Sequence, residues 1–166
     1  MSLRIIVFAL VAGLAFIACG PSSGQIKTAR TARYQTTASA TFQAGVAALA
    51  KNDYKVAAAD PVAGKARTVE RWYENDGTFV NTNSDGEVIK RDGMVVLILE
   101  LAVVADGTMF RVEVTPVAAQ FRNGYSALVP LKDNDAAMSS WIVGKVDNLY
   151  LSVYEALKSD AIAPGT

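Results

Sequence analysis

The amino-acid sequence predicts an α+β fold: a two-layer sandwich in which an antiparallel sheet of four or more strands packs against an N-terminal and a C-terminal helix. Two observations carry this. Apolar residues at helical spacing occupy both ends of the domain, while the stretch between them alternates apolar and polar residues between turn signals.

Tyr34, Ala38, Phe42, Val46 and Leu49 recur every three or four positions, the face of a helix expected over 31–51 that stops at Lys51-Asn52-Asp53. Strands follow. One is expected over 54–59 and a second over 65–74, separated by Asp60-Pro61-Val62-Ala63-Gly64. Asn75-Asp76-Gly77 marks a tight turn, because Asp-Gly readily takes positive φ. Two short strands are expected at 78–80 and 87–90, joined through Asn83-Ser84-Asp85-Gly86.

The run 94–104 is the most apolar after residue 20, and 109–117 alternates, with Phe110, Val112 and Val114 facing one way and Arg111, Glu113 and Thr115 the other. In 94–104 the odd positions make one core face. The even ones, Val96 and Ile98 among them, are also apolar except Glu100. A sheet backed by helices on one side would expose them, so residues 118–132 are expected to cover them; a docking surface for a partner is the other reading. Asp133-Asn134-Asp135 offers N-cap chemistry for a last helix, whose stripe runs from Met138 through Trp141, Ile142, Val146, Leu149, Val153 and Ala156 to about residue 158. Tyr150 and Tyr154 flank that stripe and are candidates for partner contact at its border.

The first nineteen residues describe export: Arg4, an apolar run from Ile5 to Ala18, then Cys19, the single cysteine. Fourteen helical residues reach only about 21 Å, short of the ~30 Å core that a permanent span must cross. Phe16-Ile17-Ala18-Cys19 resembles the lipobox of bacterial lipoproteins, with Phe16 where leucine is usual. The resemblance implies cleavage before Cys19 by signal peptidase II and acylation, palmitate included, of that cysteine. Residues 1–18 are then a lipoprotein signal peptide, 19–29 a flexible tether, 30–160 a single domain and 161–166 a disordered tail. By the same resemblance Gly20, standing where an aspartate would signal inner-membrane retention, points to the outer membrane; the lipid-anchored chain is expected on the periplasmic face, with the cell surface as the other reading.

A second resemblance spans residues 47–75. There a helix end, Ala47-Ala48-Leu49-Ala50-Lys51, leads into a strand, an Asp-Gly turn at 60–64 and another strand, similar to domains in the C component of the outer-membrane β-barrel assembly machinery. It implies an accessory scaffold in the envelope.

Composition narrows the chemistry. Sixteen basic residues stand against sixteen acidic ones, so no basic surplus argues for nucleic-acid binding. The chain has no histidine, which removes Ser-His-Asp and Cys-His catalysis and histidine-based zinc sites. No phosphate-cradling glycine motif occurs. Paired carboxylates drawn from Glu70, Glu74, Glu87 and Glu100 remain as a possible hydrolytic site, and solvated surface acids are the preferred reading of them. Asn81, Asn83, Asp85 and Asp92 occupy positions 1, 3, 5 and 12 of a calcium-loop template, with Gly86 at position 6. Turn-forming residues in an ordinary hairpin loop are the simpler reading of the same pattern. The expectation is therefore a non-enzymatic, cofactor-free envelope lipoprotein that binds or scaffolds an envelope protein. A carrier of a lipid or other apolar ligand, held between helices and sheet, is the competing expectation.

Overall fold

The computed structural model describes residues 20–124, 128–132 and 139–162. Cys19 and the export segment lie outside them, as do Asp133-Asn134-Asp135 and Met138. Among the described residues the chain is an α+β fold with an open, antiparallel sheet of eight strands and three α-helices.

The elements are α1 (Ser23–Thr31), β1 (Arg33–Tyr34), α2 (Ala38–Lys51), β2 (Val56–Asp60), β3 (Lys65–Thr68), β4 (Arg71–Tyr73), β5 (Val95–Asp106), β6 (Met109–Gln120), β7 (Val129–Leu131), α3 (Ser140–Ala156) and β8 (Ala161–Ile162), with a 3₁₀ turn at Lys158–Asp160. The strand order is β2-β3-β5-β6-β1-β8. β4 pairs with β5 beyond the end of β3, and β7 pairs with β6 beyond the end of β1. Each long central strand is thus flanked by two short ones in succession, which leaves two interruptions in the ladder.

α1 corrects the flexible tether expected over 19–29. Ser22 and Gln25 form a capping box: the Gln25 N–H donates to Ser22 Oγ at 3.2 Å and the Ser22 N–H to Gln25 Oε1 at 2.8 Å. These bonds satisfy the first orphan donors of the helix. Its other end is tied down by burial of Ala29 and by an Arg30–Asp147 ion pair to α3. The Ser-Gln spacing carried this signal, and the surrounding glycine and serine masked it.

Residues 32–37 are not helical as expected. Tyr34 is extended and pairs with Phe110, and the Gln35 N–H donates to the Asp160 carbonyl at 2.8 Å. α2 begins only at the Thr37 cap, whose Oγ1 accepts from the Ala40 N–H. It ends in a Schellman motif, with the Tyr54 N–H bonded to the Leu49 carbonyl and the Asp53 N–H to the Ala50 carbonyl. Asp53 supplies the left-handed residue at φ 63°.

The strand expected over 65–74 splits into β3 and β4. Residues 78–80 and 87–90 are not strands; segment 74–93 is a long connection, bridged to the sheet only at Tyr73 and Phe79. The tail expected to be disordered contributes β8, which pairs with β1.

One core cluster joins Phe42, Ala48 and Leu49 of α2 and Ile142, Val146, Leu149 and Val153 of α3 to Val95, Leu97, Leu99, Leu101, Val112 and Val114 of the sheet. Gly45 lets α2 approach β5: a Cβ there would lie 2.7 Å from a methyl of Leu101. A second, smaller cluster contains Trp72, Met94 and Val96, with Val80, Val88, Ala119 and Phe121 packed on it.

Candidate functional site

The even positions of β5 part company along the strand. Val96 is buried, 5 % exposed, beneath the second cluster. Its cover includes Val80 and Val88 of the 74–93 connection; among the described residues of the expected segment 118–132, Ala119 and Phe121 take part, and residues 118–120 and 129–131 extend the sheet. Val96 therefore presents no surface to a partner. Ile98 is half-buried, and its cross-strand partner Val117 is 41 % exposed. Val69, 44 % exposed, follows β3, whose alternate residues Ala66 and Thr68 turn inward. Toward β2 a concavity of about 390 Å³ lies over Ala58 and Ala102, bordered by the Arg67–Glu100 ion pair at 3.7 Å.

The two tyrosines of α3 have different roles. Tyr150 Oη accepts the backbone N–H of Val114 at 3.0 Å, and its ring lies under the Arg30 guanidinium. Tyr154 is half-buried and borders a polar groove of about 750 Å³ that starts at Pro21 and Ser22. Facing both is Tyr34, whose hydroxyl is pushed up to about 12 by burial and by those two phenols.

Two of the four calcium-loop residues, Asn83 and Asp92, are engaged with the backbone through their side chains. Asn83 Oδ1 accepts the N–H groups of Asp85 and Glu87, and Asp92 Oδ1 accepts the N–H of Asn123 at 2.7 Å. Ladder-like turn bonds from Asn83 N–H to Glu87 and from Gly86 N–H to Asn83 close the loop. Asn83 is thereby a turn former, and Asp92 fastens the connection to the end of β6. Among the described residues no three acidic or thiol ligands gather at one point. The glutamates disperse likewise: Glu74 pairs with Arg91 and Glu100 with Arg67. Tyr73 sits opposite Val95, which puts Glu74 level with Met94, so Glu74 and Glu100 stand roughly 20 Å apart along the sheet at ~3.3 Å per residue, beyond the span of a glycosidase pair.

Leu49 of α2, Ile142 and Leu149 of α3 and Leu97, Leu99 and Leu101 of β5 are each 2 % exposed or less. Nearer β6 a cavity of about 260 Å³ lies between Ile142 and Val146 of α3 and Val114 and Pro116.

Sequence reasoning missed a cationic pocket. β4 alternates: Trp72 goes to the second cluster, while Tyr73 enters the main core with Arg71 on the same side. The Arg71 guanidinium lies 4.2 Å from the Phe79 ring centre and 4.9 Å from that of Tyr54, and its Nη1 donates to the Asp53 carbonyl at 2.9 Å. Lys145 Nζ, reaching across from α3, is 4.6 Å from the Tyr73 ring centre and 5.7 Å from that of Trp141. The hydroxyls of Tyr73 and Tyr54 are hydrogen-bonded at 3.3 Å, and burial, followed by this bond, pushes the Tyr54 hydroxyl far up. Trp141 packs on Tyr73 and is held by a bond from its Nε1–H to the Asn75 carbonyl at 3.1 Å. Gly77 makes room for it, since a Cβ there would fall 2.6 Å from Trp141 Cγ. Between these groups lies a cavity of about 190 Å³. Two sequence signals could have found it: the alternation in Arg71-Trp72-Tyr73, and Trp141 with Lys145 four apart on one helix face.

No protein-family model matches this chain, and no curated protein matches it. Any functional reading rests on its own residues.

Proposed function

We propose that this chain is a lipid-anchored envelope lipoprotein, attached through Cys19 to the outer membrane on its periplasmic side. Its domain acts as a non-catalytic binding module, a scaffold for another envelope protein. The charged start at Arg4, the short apolar run to Ala18 and the small residue before Cys19 support the anchor. No helix of the described residues is long and apolar enough to cross a membrane, so an anchor would have to come from elsewhere.

We read the architecture as two layers, with α2 and α3 on one side of the sheet. The observation that carries the binding role is the apolar strip of half-buried Ile98 and exposed Val117 and Val69 on the other side, which among the described residues stays partly open after the 74–93 connection has sealed Val96. Apolar residues grouped on an open sheet face favour a protein partner over solvent. The small side chains and the concavity beside Ala58 and Ala102 would let a partner approach closely.

Photo-crosslinking in native membranes tests this. A photoreactive residue at Val117 should yield a discrete higher-mass adduct, and the same residue at Val62, in the exposed 61–64 turn, should not. Equal labelling at both positions, or none at Val117, would count against the module.

A further inference from the structure

We propose that the pocket between Arg71 and Lys145 binds a small oxyanion, a phosphate or carboxylate group. Arg71 and Lys145 lie within 5.7 and 4.6 Å of one and the same ring centre, that of Tyr73. Two like charges so placed are no more than about 10 Å apart, within the Debye length at ordinary salt. Among the described residues neither makes an ion pair, although Arg30, Arg33, Arg67, Arg91, Arg111 and Lys158 all do. Asp53 lends Arg71 its backbone carbonyl, not its carboxylate.

The arrangement costs free energy as it stands. Aromatic walls displace water from both cations, and cation–π attraction returns only part of their hydration. Lys145 registers this strain: loss of solvent and then the charge of Arg71 lower its pKa. An oxyanion in the cavity would relieve both effects. It would accept from the Lys145 ammonium and from those guanidinium N–H groups that Asp53 leaves free. A volume of about 190 Å³ is small beside that of pockets for drug-sized molecules, ~300–1,000 Å³, and suits a single anionic group. The site is independent of the anchor and of the Ile98 strip.

The two tryptophans make the test specific. In the full chain, purified in uncharged detergent, inorganic phosphate and acetate are titrated separately against chloride at matched ionic strength, and both indole N–H resonances are followed. The Trp141 resonance should shift saturably with at least one of the two oxyanions, while Trp72, in the other cluster, should not move. The arm that saturates at lower concentration identifies the group. Lys145→Gln should weaken binding about tenfold or more, and Arg71→Lys, which keeps the charge but loses the fork, should weaken it less. Lys90→Gln, which removes the cation over Trp72, should leave it unchanged. Should Lys145→Gln fail to fold, Lys145→Met keeps the apolar stem and serves in its place. A Trp141 resonance that responds to neither oxyanion, as it would if a carboxylate of the chain itself occupied the pocket, overturns the proposal. So does an unaltered response in the Lys145 variants.

Discussion

The phenolic oxygen of Tyr150 closes an interruption in the sheet by accepting the N–H of Val114 at 3.0 Å. On the outer edge of β6, β1 pairs at Phe110 and β7 from Ala118, so the residues between them face no strand. The corresponding interruption on β5, between β3 and β4, is closed in the same way: the Leu99 N–H donates to the buried Thr68 Oγ1 at 2.9 Å. Leu99 lies opposite Pro116, and its N–H points away from β6. The pair is therefore non-hydrogen-bonded, and the N–H that Pro116 lacks would have pointed to the open edge.

Removal of either hydroxyl leaves a buried amide without an acceptor. Tyr150→Phe and Thr68→Val should each destabilise the domain by about 1–3 kcal/mol. Denaturant midpoints at constant m-value measure this. Unchanged midpoints would mean that water reaches both amides.

Gly77 and Gly45 are predicted to be intolerant for different reasons. Gly77 combines φ +88° with the 2.6 Å approach to Trp141, so Gly77→Ala should cost about 1–3 kcal/mol and shift the Trp141 emission. Gly45 has ordinary helical geometry, and only the Leu101 methyl groups oppose it. Gly45→Ala should cost less than Gly45→Leu, which overpacks the α2–β5 contact. Thermal melts of the three variants give the order.

Val96 of β5 and Val117 of β6 should respond differently to charge. Val96→Asp places an unpaired carboxylate beneath Trp72 and Phe121 and should destabilise by about 3 kcal/mol or more. Val117→Asp, on the exposed strip, should change stability by about 0.5 kcal/mol or less while abolishing the photo-crosslinked adduct formed from a neighbouring position.

Alkaline pH should weaken the fold through its buried phenols. The unfolded chain releases the Tyr34 proton near pH 10, whereas the folded chain keeps it to about 12. Between those values the native state binds more protons, so stability falls as pH rises through the window, by about 2–3 kcal/mol for this group. Tyr54 acts in the same direction. Lys145 acts oppositely and earlier: its lowered pKa means that the unfolded chain holds the extra proton just below pH 10.5. Urea melts between pH 8 and 12 should therefore show a decline above pH 10 that is shallower in Tyr34→Phe.

Much of the fold was legible in local pattern. The stripe Ile142, Val146, Leu149, Val153 and the turn at Asn75-Asp76-Gly77 follow from periodicity and turn chemistry alone, and the odd positions of β5 form the core as read. What was hidden depends on partners distant in sequence. Tyr34 fits a helical stripe equally well, and only pairing with Phe110 and Ile162's strand makes it extended. Val96 is expected to lie beneath residues 118–132, and nothing local indicates that Val80 and Val88 fold over it. At the candidate sites, Asn83 and Asp92 carried the right spacing for a metal, yet their oxygens are spent on backbone amides. The Arg71–Lys145 pocket joins residues 74 positions apart: local spacing marks each half, in Arg71-Trp72-Tyr73 and in Trp141 with Lys145, but no spacing rule brings the halves together.

Intact mass spectrometry of the protein isolated from membranes is the most direct test of the anchoring on which the functional reading depends. The account predicts a chain that begins at Cys19 and carries the added mass of a diacylglyceryl group, and a Cys19→Ala variant that retains residues 1–18. A chain found with a free Cys19 thiol, or with residues 1–18 still attached, would contradict it.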